Sequence, residues 1–333
     1  MPLPPPRPSR PAGATTLIAG RGGEALRTCF PGAVCDALAA PDSCPAERIA
    51  DLVLADPAAS RDTIIAWLAW AGRAGAAVWI PAALLPELAQ AGITPQLVGA
   101  TPFYHFRALR AETDRGAVAH LSPLLALLAM PIALPLLGLL ALRVRLADGR
   151  PVLFAQKRIG YRGRRFTIYK FRTMRVTRMR PTRQVTRAGE WLRRHGLDEL
   201  PQLFNLLSGS MSLIGPRPLP IAEHPHGDDG TSAWMAVRGR VMPGLTGLYQ
   251  VCPGRRGLGL AEMCILDAYW LHNRSARLNA RILHTMPYET ALPRLEALPS
   301  RAAPGRHAHA RGGVVPLALR HDRVRLETAR RHG

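Results

Sequence analysis

Two adjacent acids, Asp198 and Glu199, stand inside residues 193–218, RRHGLDELPQLFNLLSGSMSLIGPRP, with arginines on both sides. Carboxylates can attack phosphorus or hold Mg²⁺, and guanidinium groups suit phosphate oxygens, so this set of residue types fits phosphoryl transfer. Leu200, Leu203, Phe204 and Leu207 fall at i, i+3, i+4 and i+7, which predicts a short amphipathic helix anchored by that apolar face. Pro201 is tolerated only in a first helical turn, which puts both acids at the N-terminal end, where free backbone N–H groups favour anions. Gly209 then ends the helix, and Gly215-Pro216-Arg217-Pro218 forms a stiff turn that presents Arg217. A plainer reading fits the same residues: Asp198 and Glu199 as ordinary first-turn acids, with Arg193 and Arg194 solvated.

The rest of the chain must position that stretch. Its 333 residues give room for one large domain or two ordinary ones. A formal charge of +21, mostly from arginine, calls for an anionic partner: a phosphate-bearing substrate, anionic lipid headgroups or nucleic acid. The five cysteines (29, 35, 44, 252 and 264) form no CxxC pair, so neither a disulfide framework nor a zinc site is indicated. Residues 1–13, MPLPPPRPSRPAG, lack the apolar run of a secretory signal and read as a disordered, Pro-rich lead-in.

Residues 14–110 read as a small α/β module. TTLIAG (15–20), DLVLAD (51–56) and AAVWIP (76–81) are strand-like, and DTIIAWLAWAGRAG (62–75) has helical periodicity, which predicts βαβ units and a parallel sheet. Residues 20–25 fit GxGxxA after a strand, but no strand ending in an acid follows at the dinucleotide spacing, so a packing turn is the favoured reading. Residues 116–142 carry no Asp, Glu, Lys or Arg and are long enough to cross a bilayer, yet prolines interrupt them at 123, 131 and 135. Arg107, Arg110 and Arg115 precede this segment and Arg143, Arg145 and Arg150 follow it. Basic residues at both ends argue for a broken helix that dips into the membrane and returns to the same face, against a buried soluble helix pair.

Residues 151–185 interleave basic and aromatic side chains, and RFTIYKFRTM predicts a strand with Lys170 and Arg172 on one face. Such a pattern serves RNA, anionic headgroups or a nucleotide diphosphate. No RNP, KH or helix-turn-helix signature accompanies it, so no nucleic acid is expected. His224, His226, Asp228 and Asp229 read as a solvated loop rather than a metal cluster, since nothing fixes a ligand geometry. Residues 288–333 form a basic, Arg/Ala/Gly/His-rich tail that reads as disordered, with a short helix near its end.

Three blocks in order, PVLFAQKRIGYRGRRFTIYKFRTM (151–174), LDELPQLFNLLSGSMSLIGPRP and MPGLTGLYQV (242–251), resemble the bacterial sugar transferases, the monotopic polyprenyl-phosphate phosphoglycosyl transferases. The resemblance covers roughly residues 116–285. It implies an α/β fold: a degenerate Rossmann-like module at 14–110 without the four transmembrane helices that usually precede it, a re-entrant membrane helix at 116–142 kinked at Pro135, and a small catalytic domain at 143–287 with interfacial amphipathic helices. LDAYWLHNRSARLNARIL (266–283) would be the last of these, with Leu271, Arg274, Arg277 and Arg281 toward the membrane interface.

The implied reaction moves a sugar-1-phosphate from a UDP-sugar to undecaprenyl phosphate, releases UMP, and initiates polysaccharide or glycoconjugate synthesis. Its place would be the cytoplasmic face of a bacterial inner membrane, against anionic lipids. Asp198 would be the nucleophile that carries an aspartyl-phosphosugar intermediate, and Glu199, with Asp198, would hold Mg²⁺. Arg193 and Arg217 would clamp phosphate oxygens, with Lys170 and Arg255 as lesser candidates. The chain departs from the family pattern at Leu134 and Ser122, where serine and aspartate are usual, and at Cys252-Pro253-Gly254-Arg255, where an Asn-Gly-Arg turn is common: Arg255 matches its arginine and the asparagine is lost. The segment before the acid pair (174–191) is also unusually short and basic. A non-catalytic, membrane-docked scaffold of the same fold is the alternative.

Overall fold

The computed structural model describes residues 15–20, 23–26, 29–30, 33–36, 41, 44, 49–109, 116–175, 184–225 and 230–291. The lead-in at 1–13, the loop residues His226, Asp228 and Asp229, and the tail from 292 onward lie outside them.

The first third of the chain builds a sheet. Its strands are β1 (Thr15–Ala19), β2 (Val34–Asp36), β3 (Ile49–Leu54), β4 (Ala77–Pro81), β5 (Gln96–Val98) and β6 (Thr101–Phe106), with helices α1 (Gly23–Leu26), α2 (Arg61–Ala74) and α3 (Pro86–Gln90) between them. The order is β2-β1-β3-β4-β6-β5. The first four strands run parallel, as the alternation of strand and helix requires, and β6 and β5 add antiparallel. Strand periodicity divides the apolar side chains. Leu17, Leu52 and Leu54 join the large core, whereas Ile18 and Val53 pack with Phe30 and Phe103 on the other face. Helix α2 starts at Ser60, whose hydroxyl accepts from the Thr63 N–H at 3.1 Å, and stops at Gly75 in the left-handed region (φ 70°). Gly20, at the end of β1, has φ 112° and lies so near Asp56 that a Cβ there would come within 2.6 Å of the Asp56 nitrogen. The glycine is required by that approach.

The middle of the chain opens with α4 (Ala117–Asp148), a single helix with Pro123, Pro131 and Pro135 inside it. Each proline removes the donor for the carbonyl four residues earlier. Ser122, Ala126, Met130, Ala133, Leu137, Leu140 and Val144 form its buried stripe, spaced three or four apart, while Leu128, Ile132 and Leu139 on the other faces are more than half exposed. The antiparallel hairpin of β7 (Leu153–Ile159) and β8 (Arg165–Phe171) follows, then α5 (Arg187–Arg194).

The FRTM block acts as a bracket between these pieces. Phe171 packs among Leu137, Leu140, Val144 and Leu192. Arg172, expected on one face with Lys170, lies beyond the strand end instead. There its guanidinium donates to the carbonyls of Asp148, of Gly149 at 3.1 Å and of Arg150 at 2.9 Å. It caps the last turn of α4, where carbonyls lack helical partners and a cation is favoured. A Cβ on Gly189 would overlap the Thr173 carbonyl, so glycine lets α5 lie directly on that segment.

The remaining elements are α6 (Leu203–Leu207), β9 (Ser212–Ile214), α7 (Gly230–Arg238), β10 (Gly244–Thr246), α8 (Leu260–His272) and α9 (Ala276–Ala291). Strands β9 and β10 pair in parallel. Helices α7 and α8 bring Trp234, Val237, Ile265 and Leu266 into the same core as the sheet residues Leu52, Val78 and Phe106 and the α2 residue Leu68. The sheet and the later helices therefore share one apolar interior. Truncating a fully buried side chain such as Trp234 would cost about 3–5 kcal/mol.

The expected interfacial helix at 266–283 is two helices. Asn273 ends α8, the Ser275 hydroxyl accepts from the Leu278 N–H at 3.2 Å to start α9, and Leu271 is core. Helix α8 is buried over most of its length, and on α9 Arg277 and Leu283 are exposed while the Arg281 guanidinium turns back to donate to the Ala91 carbonyl at 2.7 Å.

Candidate active site

The acid pair does not open an α-helix. Leu197–Gln202 winds as a 3₁₀ helix, and α6 begins only at Leu203. Three residues per turn instead of 3.6 shift the phase of everything downstream. The expected anchor Leu200-Leu203-Phe204-Leu207 is accordingly split: Leu200 and Leu203 pack against the core, Phe204 and Leu207 are exposed, and Leu206 is buried in their place. Gly209 ends the helix as expected, with φ 66°.

What fixes this segment is Asn205. Its side-chain amide donates to the Thr167 carbonyl at 2.7 Å and accepts from the Tyr169 N–H at 3.3 Å, so α6 is stitched to β8. That docking places Glu199 opposite Lys170, whose Nζ lies 2.5 Å from Glu199 Oε1. Asp198, one step along a helix that turns about 120° per residue, points inward and is only 8% exposed.

The GPRP turn forms the facing wall. A Cβ on Gly215 would strike the Met242 carbonyl, and Cβ atoms on Gly244 and Gly247 would strike the Gly215 backbone. The three glycines let the IGPRP and PGLTG blocks touch backbone to backbone, closed by Gly215 N–H to the Thr246 carbonyl and Gly244 N–H to the Pro216 carbonyl, both 2.9 Å. Two buried arginines then pin consecutive carbonyls of the turn. Arg238 donates to the Arg217 carbonyl and pairs with Asp267 at 2.8 Å, and Arg158 Nη1 donates to the Pro218 carbonyl at 2.9 Å.

Between these walls lies an open cleft lined by Arg158, Lys170, Glu199, Gln202, Arg217 and Gln250. Burial pushes the Glu199 carboxyl up, but Lys170, Arg217 and the Gln202 amide outweigh it and hold it below the usual carboxylate range. Burial, and then the Arg217 charge, draws the Arg158 guanidinium down to about 10. Three cations facing one carboxylate make a site for an anion.

Of the residues singled out from the sequence, Glu199, Lys170 and Arg217 line this cleft together. Asp198 is buried and is not among the residues that line the cleft. Arg193 is held on the Thr173 hydroxyl at 2.8 Å, and Arg255 donates to the Gln250 carbonyl; neither side chain lines the cleft. Pro135 lies within α4. Arg158, Gln202 and Gln250 were not singled out. Gln202 was readable in principle, since i and i+3 share a face of a 3₁₀ helix and it therefore stands under Glu199. Among the described residues, no three His, Cys, Asp or Glu side chains are placed to hold a metal ion, and His224 turns back on the Pro225 carbonyl at 3.2 Å. Among the described residues, Cys29, Cys44, Cys252 and Cys264 form no disulfide.

Residues 117–290 match the family model described as "Bacterial sugar transferase". A Xanthomonas campestris pv. campestris protein named UDP-glucose:undecaprenyl-phosphate glucose-1-phosphate transferase is 37% identical over 183 residues, covering 50% of this chain and 38% of the relative. A Komagataeibacter xylinus undecaprenyl-phosphate glucose phosphotransferase is 38% identical over 167 residues, covering 45% of this chain and 31% of its own length. The Bacillus subtilis (strain 168) protein named uncharacterized sugar transferase EpsL is 40% identical over 146 residues, covering 42% of this chain and 70% of EpsL. The chain thus spans between 31% and 38% of the length of the first two relatives.

Proposed function

The chain belongs to the bacterial sugar transferases, and from that premise we propose that it transfers a sugar-1-phosphate from a UDP-sugar to undecaprenyl phosphate, releasing UMP. The observation that carries this reading is the cleft itself: a carboxylate held ionised by Lys170, the Arg217 guanidinium on a pinned turn, and a second carboxylate next to it in the chain.

In the proposed first step an Asp198 oxygen forms a bond to the phosphorus that bears the sugar. The bond from that phosphorus to UMP breaks, and UMP leaves with the electron pair. In the second step a phosphate oxygen of the lipid attacks the same phosphorus, the acyl phosphate bond breaks, and the Asp198 carboxylate returns. Lys170 and Arg217 hold phosphoryl oxygens, so that an anionic nucleophile can approach an anionic substrate. Mg²⁺ is usually bound by one or two carboxylates plus substrate phosphates, and the adjacent Glu199 and Asp198 fit that pattern. The ion, held by Glu199 with Asp198, would neutralise the diphosphate.

The membrane reading rests on α4. Ala126 packs with Ile168 and Met211, while Leu140 and Val144 pack with Phe171 and Leu192. Both halves of the helix are therefore held by one short strand, β8, and leucines fill the outward faces. We read this as a helix that enters and leaves the membrane on one face, bent at Pro135, with the Rossmann-like part at 14–110 in a structural or regulatory role. Labels near Arg107 and Arg150 should then be reached from the same, cytoplasmic side, and access from opposite sides overturns the re-entrant arrangement. The activity is tested by UMP release from a panel of UDP-sugars with and without polyprenyl phosphate. Release that depends on one sugar supports the assignment, and no release with any of them leaves the membrane-docked scaffold.

A further inference from the structure

Arg158 is only 8% exposed and reaches the cleft from β7. One of its five N–H donors is used, Nη1 on the Pro218 carbonyl at 2.9 Å, and Nε is buried with no hydrogen-bond partner among the described residues. A guanidinium withdrawn from water normally carries a bonded carboxylate, because the burial penalty of the charge is large. Arg238 follows that rule through Asp267. Arg158 has instead a like charge close by, Arg217; Glu223 and Glu199 favour its charge from a distance but neither bonds it, and Glu199 is already paired with Lys170 at 2.5 Å. The cleft holds a cation that its own walls leave without a bonded anion.

We infer that Arg158 binds a phosphoryl oxygen of the substrate, as the innermost member of an Arg158–Lys170–Arg217 cradle. The Pro218 carbonyl fixes Nη1 and leaves Nη2 without a hydrogen bond among the described residues. A planar fork held at one edge suits two oxygens of a phosphoryl group better than an ammonium does. The inference rests on the transferase reading above. The phosphoryl group has two sources there, the nucleotide diphosphate and the lipid monophosphate.

The test is equilibrium binding to the full chain in detergent, with two phosphate probes, UDP and a short-chain polyprenyl monophosphate. Each is compared with its phosphate-free counterpart, uridine or the polyprenol. Charge-assisted hydrogen bonds of this kind carry roughly a ten- to hundred-fold change in affinity. Arg158→Gln should weaken UDP, the lipid phosphate, or both by that factor while leaving the phosphate-free probes unchanged, and the affected probe identifies the source. Arg158→Lys, which keeps the charge, should restore part of the loss and serves where the glutamine variant is poorly folded. Phosphate binding unchanged in both variants overturns the inference, and so does equal weakening of UDP and uridine. If the wild-type chain transfers sugar phosphate while both variants bind like wild type, only the role of Arg158 fails. If the wild-type chain shows no phosphate-dependent binding, the transferase reading fails with it.

Discussion

The cleft and the core beneath it treat charge in opposite ways. In the core Arg238 meets Asp267, Arg61 grips Glu87 through two hydrogen bonds at 3.0 and 3.1 Å, and burial keeps His272 neutral by drawing its pKa down to about 4. In the cleft three cations face one carboxylate. The two carboxylates show the difference directly. Burial pushes Asp267 up despite Arg238, whereas at Glu199 the surrounding cations win over burial. Charge left unmatched where the fold could have matched it, a few residues from where it does so, marks the part of the molecule meant for a ligand.

The strongest way to break this contrast is to unbalance the core. Asp267→Asn leaves Arg238 buried without its anion, which should destabilise the chain by about 3–5 kcal/mol and loosen the Arg217 carbonyl it holds. Thermal unfolding reads the effect, and a loss below about 1 kcal/mol would mean the pair is dispensable to the fold.

Next comes acid. His272 stays neutral in the folded chain down to pH about 4, while the unfolded chain takes up a proton near pH 6.5. The unfolded state binds more protons in that window, so stability should fall as pH drops from about 6.5 to 4, by up to about 3 kcal/mol. Replacing His272 with glutamine should reduce the slope of the denaturant midpoint against pH, the rest coming from His105, whose pKa burial also draws down to about 4, and an unchanged slope would place the acid sensitivity elsewhere.

The smallest effect on stability belongs to the cleft. Glu199→Gln should change unfolding free energy by less than about 1 kcal/mol, because the Lys170 pair is partly exposed. What stability the carboxylate does contribute is present above pH about 4.5 and lost as pH falls through its depressed folded value. Turnover should nonetheless drop by roughly ten- to a hundred-fold, with a weaker dependence on Mg²⁺. A variant that unfolds as readily as Asp267→Asn, or one that turns over normally, would erase the contrast between the regions.

Much of this arrangement was legible in the sequence where backbone geometry dictates residue type. Gly215, Gly244 and Gly247 occupy contacts that only glycine permits, and those contacts are why the IGPRP and PGLTG blocks read so clearly. The strands at 15–20, 51–56 and 76–81 and the helix at 62–75 were likewise visible, since apolar runs bounded by turn residues carry their own periodicity. Long-range registers were not. Nothing local says that Asn205 bonds to β8, that the LDELPQ segment tightens to 3₁₀, or that Arg158 rather than Arg193 or Arg255 reaches the cleft from a crowd of basic side chains. The core shared by α2, α7 and α8 hid for the same reason, because residues such as Gly72 and Val237 meet across 165 positions of sequence.

The proposed chemistry is covalent phosphoryl transfer through Asp198, the buried neighbour of the cleft residue Glu199. The direct measurement is to give the full chain a UDP-sugar labelled in the sugar, with no polyprenyl phosphate, and to follow UMP and protein-bound label together. A covalent mechanism gives a burst of UMP close to one per protein chain, an equal amount of sugar phosphate trapped on Asp198, and loss of both in Asp198→Asn. UMP formed only when the lipid acceptor is present, with no label on the protein, or a burst that survives Asp198→Asn, would contradict it.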